Sequence, residues 1–360
     1  MIDAIDDVVI ADTETEIEVP KVIEELRENP PFILNTLHTI DQVDEYGMNR
    51  GTMGLDFGYN NLNKAFNGLN PGLTLIAGGA NTGKSALLLA LMTRIVEKNQ
   101  YQDENHPKKA YCLYFSLDDS NNELMPRMIA SSEGMQINQV LFPKTLVDKP
   151  ELLKKRENGF KNLKRNAPFF SMFDAENGQS IQKIEEIIEM IHQQLEMVYP
   201  NEFQMVIFID NFHDIDYETE SGFMEDNAKY DYISNRLNEL AIKYDAPVLC
   251  SAEFRKINSQ KRPQPDDIKS TGKITYEAKG IILVHNEVGL LGDDAELFWE
   301  IAVGDDSLPN RKMPILEMHV AKNKFGPFKG REFLRFLPEQ ARFFEPTEEE
   351  NKTYRALLKS

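Results

Sequence analysis

The sequence predicts an α/β fold with a mostly parallel central sheet, and three observations predict it. From about residue 50, apolar runs of strand length alternate with helical patterns. One run, 73–77, leads into Gly78-Gly-Ala-Asn-Thr-Gly-Lys-Ser85, which fits G-x-x-x-x-G-K-[ST]. Another, 203–210, ends in a carboxylate, Asp210.

The phosphate-binding loop has the setting its chemistry requires. Leu73-Thr-Leu-Ile-Ala77 suits a buried strand, and Ala86-Leu-Leu-Leu-Ala-Leu-Met92 is a strong helix former. In such a strand–loop–helix, successive backbone N–H groups and the helix N-terminus converge on phosphate. The expected cradle is Gly78, Gly79, Ala80, Asn81, Thr82, Gly83, Lys84, Ser85 and Ala86. Gly78 and Gly83 admit close backbone approach, Lys84 reaches the β- and γ-phosphates, and the Ser85 hydroxyl coordinates Mg²⁺. The chain is therefore expected to bind a nucleoside triphosphate with Mg²⁺. Asp210 is expected to hold the Mg²⁺ hydration shell opposite Ser85. A carboxylate must also polarise the attacking water. Asp118, after the run 111–116, is the first choice and Asp119 the fallback; capping of a helix starting near Asn121 is the competing role for both.

The remaining strands are expected at 111–116, 168–172, 205–210, 246–251, 280–285 and 314–321, and helices at 84–98, 121–133, 181–197 and 227–244. Residues 98–110 are polar and read as a surface loop, and 287–312 as a loop or small hairpin insert. The basic stretch Lys154 to Arg165 reads as the solvated face of a helix. Before the core lies an acidic arm: residues 1–30 hold ten acids and two bases, and Val22 to Glu28 forms a short amphipathic helix stopped by Asn29-Pro-Pro31. The domains are accordingly 1–49 (arm and linker helix), 50–345 (ATPase core) and 346–360 (C-terminal tail).

Composition limits the remaining choices. With 41% apolar residues and a mean hydropathy of −0.45, the chain suits a globular protein. No run approaches the roughly 20 apolar residues of a membrane span. The acidic N-terminus is neither a secretory signal nor a transit peptide. Cys112 and Cys250 sit in apolar runs and are expected as buried thiols, consistent with a reducing cytoplasm. A net charge of −19 excludes a wholly basic nucleic-acid coat but leaves room for a basic channel inside an acidic ring.

The order of motifs resembles the RecA-like ATPase domain of DnaB-type replicative helicases. The resemblance is carried by Thr52 to Gly72 as lead-in, Tyr114 to Ser131 as the next strand and helix, and Ile209-Asp210 as the Mg²⁺ strand. Arg262 to Ala278 resembles the stretch with a DNA-contacting loop, and Ala321-Lys-Asn-Lys-Phe-Gly-Pro327 the strand end reaching a neighbour's site. It implies a RecA-like P-loop NTPase core behind a short N-terminal arm and helix. It also implies a homohexamer or other ring with single-stranded DNA in its channel, and contacts with other replication proteins. By resemblance, Lys322 and Lys324 act in trans on the γ-phosphate, and Lys269 and Lys273 track the DNA backbone. Helix 22–28 falls where the family has a linker helix.

The departures concern hydrolysis. Asp118 stands where the family has Glu, Ala252 where it has Gln, and Lys324 where it has an arginine finger; Arg255 matches. The loop 214–226 holds six acids and no base, which opposes nucleic-acid binding. Tyr217 and Phe223 offer stacking surfaces, with local packing as the alternative, and His213 reads as structural. The leading expectation is an ATP-driven ring motor that unwinds DNA, with slow turnover or an unusual coupling geometry. The alternatives are a nucleotide-binding scaffold or regulator with weak hydrolysis, and a filament-forming recombinase.

Overall fold

A computed structural model describes residues 39–40, 42–44, 53–102, 107–218, 226–255, 261–269, 272–302 and 310–358. The expected helix at 22–28 lies outside them. The chain divides into two units, Met1–Arg50 and Gly51–Ser360. Of the first, Thr39, Ile40 and Gln42 to Asp44 are helical and exposed.

The second unit is built on a ten-stranded sheet: β1 (Gly72–Gly78), β2 (Lys109–Ser116), β3 (Phe170–Phe173), β4 (Phe203–Asp210), β5 (Pro247–Glu253), β6 (Gly280–Asn286), β7 (Phe298–Ile301), β8 (Arg311–Asn323), β9 (Gly330–Leu337) and β10 (Arg342–Phe344). Their order is β10-β9-β8-β6-β1-β5-β4-β2-β3, with β7 paired to β8. Strands β3, β2, β4, β5, β1 and β6 run parallel, and β8 begins an antiparallel edge. The parallel strands need crossovers, supplied by helices on both faces. These are α1 (Asn60–Phe66), α2 (Lys84–Lys98), α3 (Asn121–Glu133), α4 (Ile137–Leu141), α5 (Pro150–Asn166), α6 (Ile181–Val198), α7 (Asp226–Lys243), α8 (Lys273–Glu277), α9 (Glu287–Leu291) and α10 (Glu348–Leu357).

Strand alternation explains the two cores. Tyr114, Phe208, Leu249 and Ile282 face Leu87, Leu88, Leu91 and Ile95 of α2. Their neighbours Leu113, Ile207, Val248 and Leu283 face Ile184 and Ile188 of α6 and Ile233 and Leu237 of α7. Strands buried on both faces read as unbroken apolar runs, which is why the sequence marks them clearly.

Several expectations are adjusted. Strand 168–172 begins at Phe170, because Ala167 to Phe169 form a 3₁₀ turn. The segment 287–312 opens with α9, and only then does β7 fold back on β8 as a hairpin, Phe298 opposite Pro314 and Ile301 opposite Arg311. The basic stretch is helix α5, with Lys154, Lys155, Lys161 and Lys164 exposed. Cys112 and Cys250 are buried free thiols. Near the C-terminus, α10 places Tyr354 on Phe333 of β9, ring centroids 5.6 Å apart.

Phe208 sits at the centre of this packing, fully buried and stacked on Tyr114 at 5.9 Å. Phe208→Ala is expected to cost about 3–5 kcal/mol by urea unfolding. A loss below about 1 kcal/mol would contradict the central placement of β4.

Candidate nucleotide site

The phosphate loop lies where β1 ends, at the C-terminal edge of the parallel strands. Gly83 has φ 99°, a left-handed conformation, and a Cβ there would lie 3.3 Å from the Phe336 ring. Asn81 is also left-handed, at φ 57°, which asparagine tolerates better than most side chains. A Cβ on Gly78 would approach Thr82 Oγ1 to 2.8 Å, so the loop can close tightly only on glycine. Thr82 Oγ1 and Lys84 Nζ each donate to the Gly79 carbonyl at 2.8 Å, curling the loop on itself. No side chain caps the start of α2, so its first N–H groups remain available to an anion.

The two metal-binding candidates, Ser85 and Asp210, follow from the ends of β1 and β4 at this edge. The Asp210 carboxylate accepts hydrogen bonds from Tyr114 OH at 3.2 Å and from Ser251 Oγ, which fixes its orientation. Burial and the adjacent Asp210 charge push the Tyr114 hydroxyl well above its ordinary pKa, so it stays a donor. The Ser85 side chain makes no hydrogen bond among the described residues. Burial pulls the Lys84 ammonium below its usual range, against the opposing charges of Glu253 and Asp210. Burial, followed by the charges of Asp118, Glu253 and Asp210, raises Asp214. Two carboxylates, Asp210 and Glu253, thus act on Lys84, and both also act on Asp214. A hydrated divalent cation held between Ser85, Asp210 and phosphate oxygens fits this donor set and relieves the repulsion.

Asp118 and Asp119 have separate fates. Asp119 is taken by Arg127 at 2.6 Å. Asp118 is exposed, without a hydrogen bond or ion pair among the described residues. Neither caps α3, whose N-cap is Ser120 in a capping box with Glu123.

A cavity of about 730 Å³ opens beside the loop, lined by Gly79, Ala80, Thr82, Glu253, Phe254, Arg255, Lys261, Lys269, Val284, His285 and Leu290. Three cations of this chain face it: Arg255, which matches the family; Lys269, expected instead on the DNA; and Lys261, which the sequence did not mark. The segment 261–269 is held there by pairing: Arg255 N donates to Asp267 O at 2.7 Å, and Lys269 N to Glu253 O at 2.8 Å. Arg262 anchors the same segment through Glu287 and Glu317, each at 2.9 Å, and Arg331 completes the cluster by bonding Glu317 at 2.6 Å. Glu317 and Glu287 are buried, so the arginines supply the charge that makes their burial tolerable.

His213 ties this wall to the segment just after β4. Its Nδ1 accepts from the Glu253 N–H at 3.3 Å, so Nε2 carries the proton and donates to the Lys269 carbonyl. Burial lowers its pKa, favouring the neutral ring. In this arrangement the histidine is a structural tie. The described part of the acidic loop is also tied down: Ile215 is buried, Asp216 pairs with Lys229 at 3.1 Å, and Tyr217 packs on Tyr232 at 4.5 Å. Phe223 lies outside the described residues.

The remaining predicted cations lie elsewhere. Lys322 and Lys324 sit at the opposite edge of the sheet: Lys322 pairs with Ile281, and Lys324 N donates to Lys279 O. In this register Gly280 faces Thr74, four residues before the phosphate loop begins at Gly78. At 3.3 Å per residue the two levels are about 13 Å apart, before the loop itself is counted. Lys322 Nζ donates to the Thr275 and Tyr276 carbonyls at 2.7 and 2.8 Å, holding the C-terminal end of α8. Lys324 is exposed, and its side chain has no partner among the described residues. Lys269 belongs to the cavity wall and Lys273 opens α8. Among the described residues no group of three or more His, Cys, Asp or Glu could hold a metal ion, and no helix is long and apolar enough to cross a membrane.

The sequence matches the family described as DnaB-like helicase C terminal domain over residues 54–345. A search of the curated proteins found no match. Among solved structures, the chain is similar to one described as an ATPase domain, with 18% identity, a TM-score of 0.66, and coverage of 88% of this chain and 99% of that one. It is equally similar to a DnaB-like replicative helicase described with its interactions with primase: 18% identity, TM-score 0.66, covering 91% of this chain and 72% of that one. At such identity the likeness establishes the RecA-like fold, and the family match establishes kinship. The chain belongs to the DnaB-like helicase family, the ATP-dependent DNA helicases of replication.

Proposed function

We propose that this chain is the motor subunit of a ring that hydrolyses Mg²⁺-ATP to move along single-stranded DNA and open duplexes ahead of it. The observation that carries this reading is the division of cations between opposite sheet edges. Lys84 and the loop amides serve phosphate at one edge, while Lys324 stands at the other, out of reach of its own loop. A cation so placed meets a γ-phosphate only when a second copy presents its loop. Heterologous, head-to-tail contacts of that kind close into rings when the rotation permits, and a homohexamer is the proposed closure.

In this reading Lys84 grips the β- and γ-phosphates, and the loop Gly78 to Ala86 supplies amide donors. Ser85 and Asp210 hold Mg²⁺, which neutralises phosphate charge when bound. Asp118 contributes a carboxylate from the end of β2. Lys324 acts in trans on the charge of the transferring phosphoryl group. Lys322 steadies α8 beside it. Lys273, and Lys269 through its segment, contact the DNA backbone. The nucleotide state reaches them through the pairing of Glu253 with Lys269 and the His213 bridge. Contacts with replication proteins and a cytoplasmic setting belong to the same reading, primase being the partner described for one structural neighbour.

Lys84→Ala is expected to lower ATP turnover by about 10²–10³-fold, because it removes a donor aimed at developing charge. An unchanged rate in a steady-state phosphate-release assay would remove the assignment. Lys324→Ala should leave nucleotide affinity of the isolated subunit within about threefold while lowering turnover of the assembly about 10²-fold or more. Full-rate hydrolysis by a monomer would contradict the trans role. Lys273→Ala should weaken single-stranded DNA binding uniformly across sequences and reduce the salt slope of log K by about 0.7. A slope equal to that of the unaltered protein would place the DNA contact elsewhere.

A further inference from the structure

We infer that Glu253, at the end of β5, is the carboxylate that takes the proton from the attacking water, in place of a residue at the end of β2. The inference rests on the ATPase reading above and assigns its missing base. The family resemblance directs attention to Asp118 and to position 252. Ala252 is fully buried in the core face of β5 and has no functional group. Alternation along the strand turns the next side chain, Glu253, to the other face, where it lines the phosphate cavity.

The other carboxylates are engaged or poorly placed. Both oxygens of Asp210 accept hydrogen bonds, and Asp214 accepts one from the Asn211 side-chain amide. Asp119 is locked to Arg127. Asp118 is exposed, outside the cavity wall, and shorter by one methylene than a glutamate. Glu253 alone among them lines the cavity, and its carboxylate has no hydrogen-bond partner among the described residues. Its main chain is held on both sides, by His213 Nδ1 at the N–H and by Lys269 N–H at the carbonyl. It is also level with Gly78, the first residue of the phosphate loop. A base on a fixed backbone with a free end in the reaction cavity meets the positional demand of general-base catalysis.

The step balances without a further reactant. The water oxygen bonds to the γ-phosphorus as the bond from that phosphorus to the β,γ-bridging oxygen breaks, and ADP leaves with the electron pair. The proton released by the water passes to the Glu253 carboxylate and then to the departing phosphate or to solvent. His213 acts as a positioning residue, holding the Glu253 main chain.

The test compares the full-length assembly with Glu253→Gln, Asp118→Asn and Lys84→Ala. ATP turnover is measured at steady state, and equilibrium binding with a fluorescent non-hydrolysable ATP analogue. Glu253→Gln is expected to lower kcat by about 10²-fold or more and to exceed the loss in Asp118→Asn. Analogue affinity should be unchanged or higher, since one negative charge near the phosphates is gone. Three results would overturn the inference: turnover above one-tenth of the unaltered rate, a larger loss in Asp118→Asn, or weaker analogue binding in Glu253→Gln. The ATPase reading fails separately if Lys84→Ala matches the unaltered protein in turnover and binding. An unaltered assembly without turnover would sink both.

Discussion

The parallel alignment of β1, β4 and β5 is the constraint on which the rest depends. Parallel strands deliver all their C-terminal ends to one edge, so the phosphate loop, Asp210 and Glu253 meet there without any long-range steering of side chains. The same alignment sends the N-terminal ends, and with them the end of antiparallel β8, to the far edge. A single subunit therefore cannot bring Lys324 to its own loop. In the proposed reading, strand direction alone is what calls for a neighbour.

Electrostatics then set the condition for the site to work. Lys84 is buried beside Asp210 and Glu253, whose charges in turn act on Asp214, so negative charge is in surplus there. Adding a triphosphate raises that surplus, so Mg²⁺ and the cavity cations Arg255, Lys261 and Lys269 are needed to offset it. These cations are not loose. Arg262 pins their segment to buried Glu317 and Glu287, and the main chain of 267–269 pairs with 253–255. The helix α8, opened by Lys273, is held at its C-terminal end by Lys322.

Much of this was legible in the sequence because it is local. The phosphate loop, its strand and α2 follow from contiguous residues, and buried parallel strands advertise themselves as apolar runs. Asp210 could be placed because it ends such a run. Strand β9 was missed: its pairing with β8 rests on non-local contacts such as Arg331 with Glu317, fourteen residues apart and invisible to a window. Helix α9 was read as loop since its five residues carry too little periodicity, although Asn286 caps it. Glu253 escaped attention because motif matching selected Ala252, while strand alternation turns that position into the core. The separation of Lys269 from Lys273, one in the cavity wall and one on α8, likewise needed the fold.

The claim that two subunits build each site is tested most directly by mixing two crippled proteins. One carries Lys84→Ala and retains Lys324; the other carries Lys324→Ala and retains an intact loop. Neither hydrolyses ATP alone on this account. In randomly mixed rings, about a quarter of the interfaces pair an intact loop with an intact Lys324. ATPase activity should reappear on mixing, near that fraction of the unaltered rate. A mixture as inactive as its components would contradict the shared site.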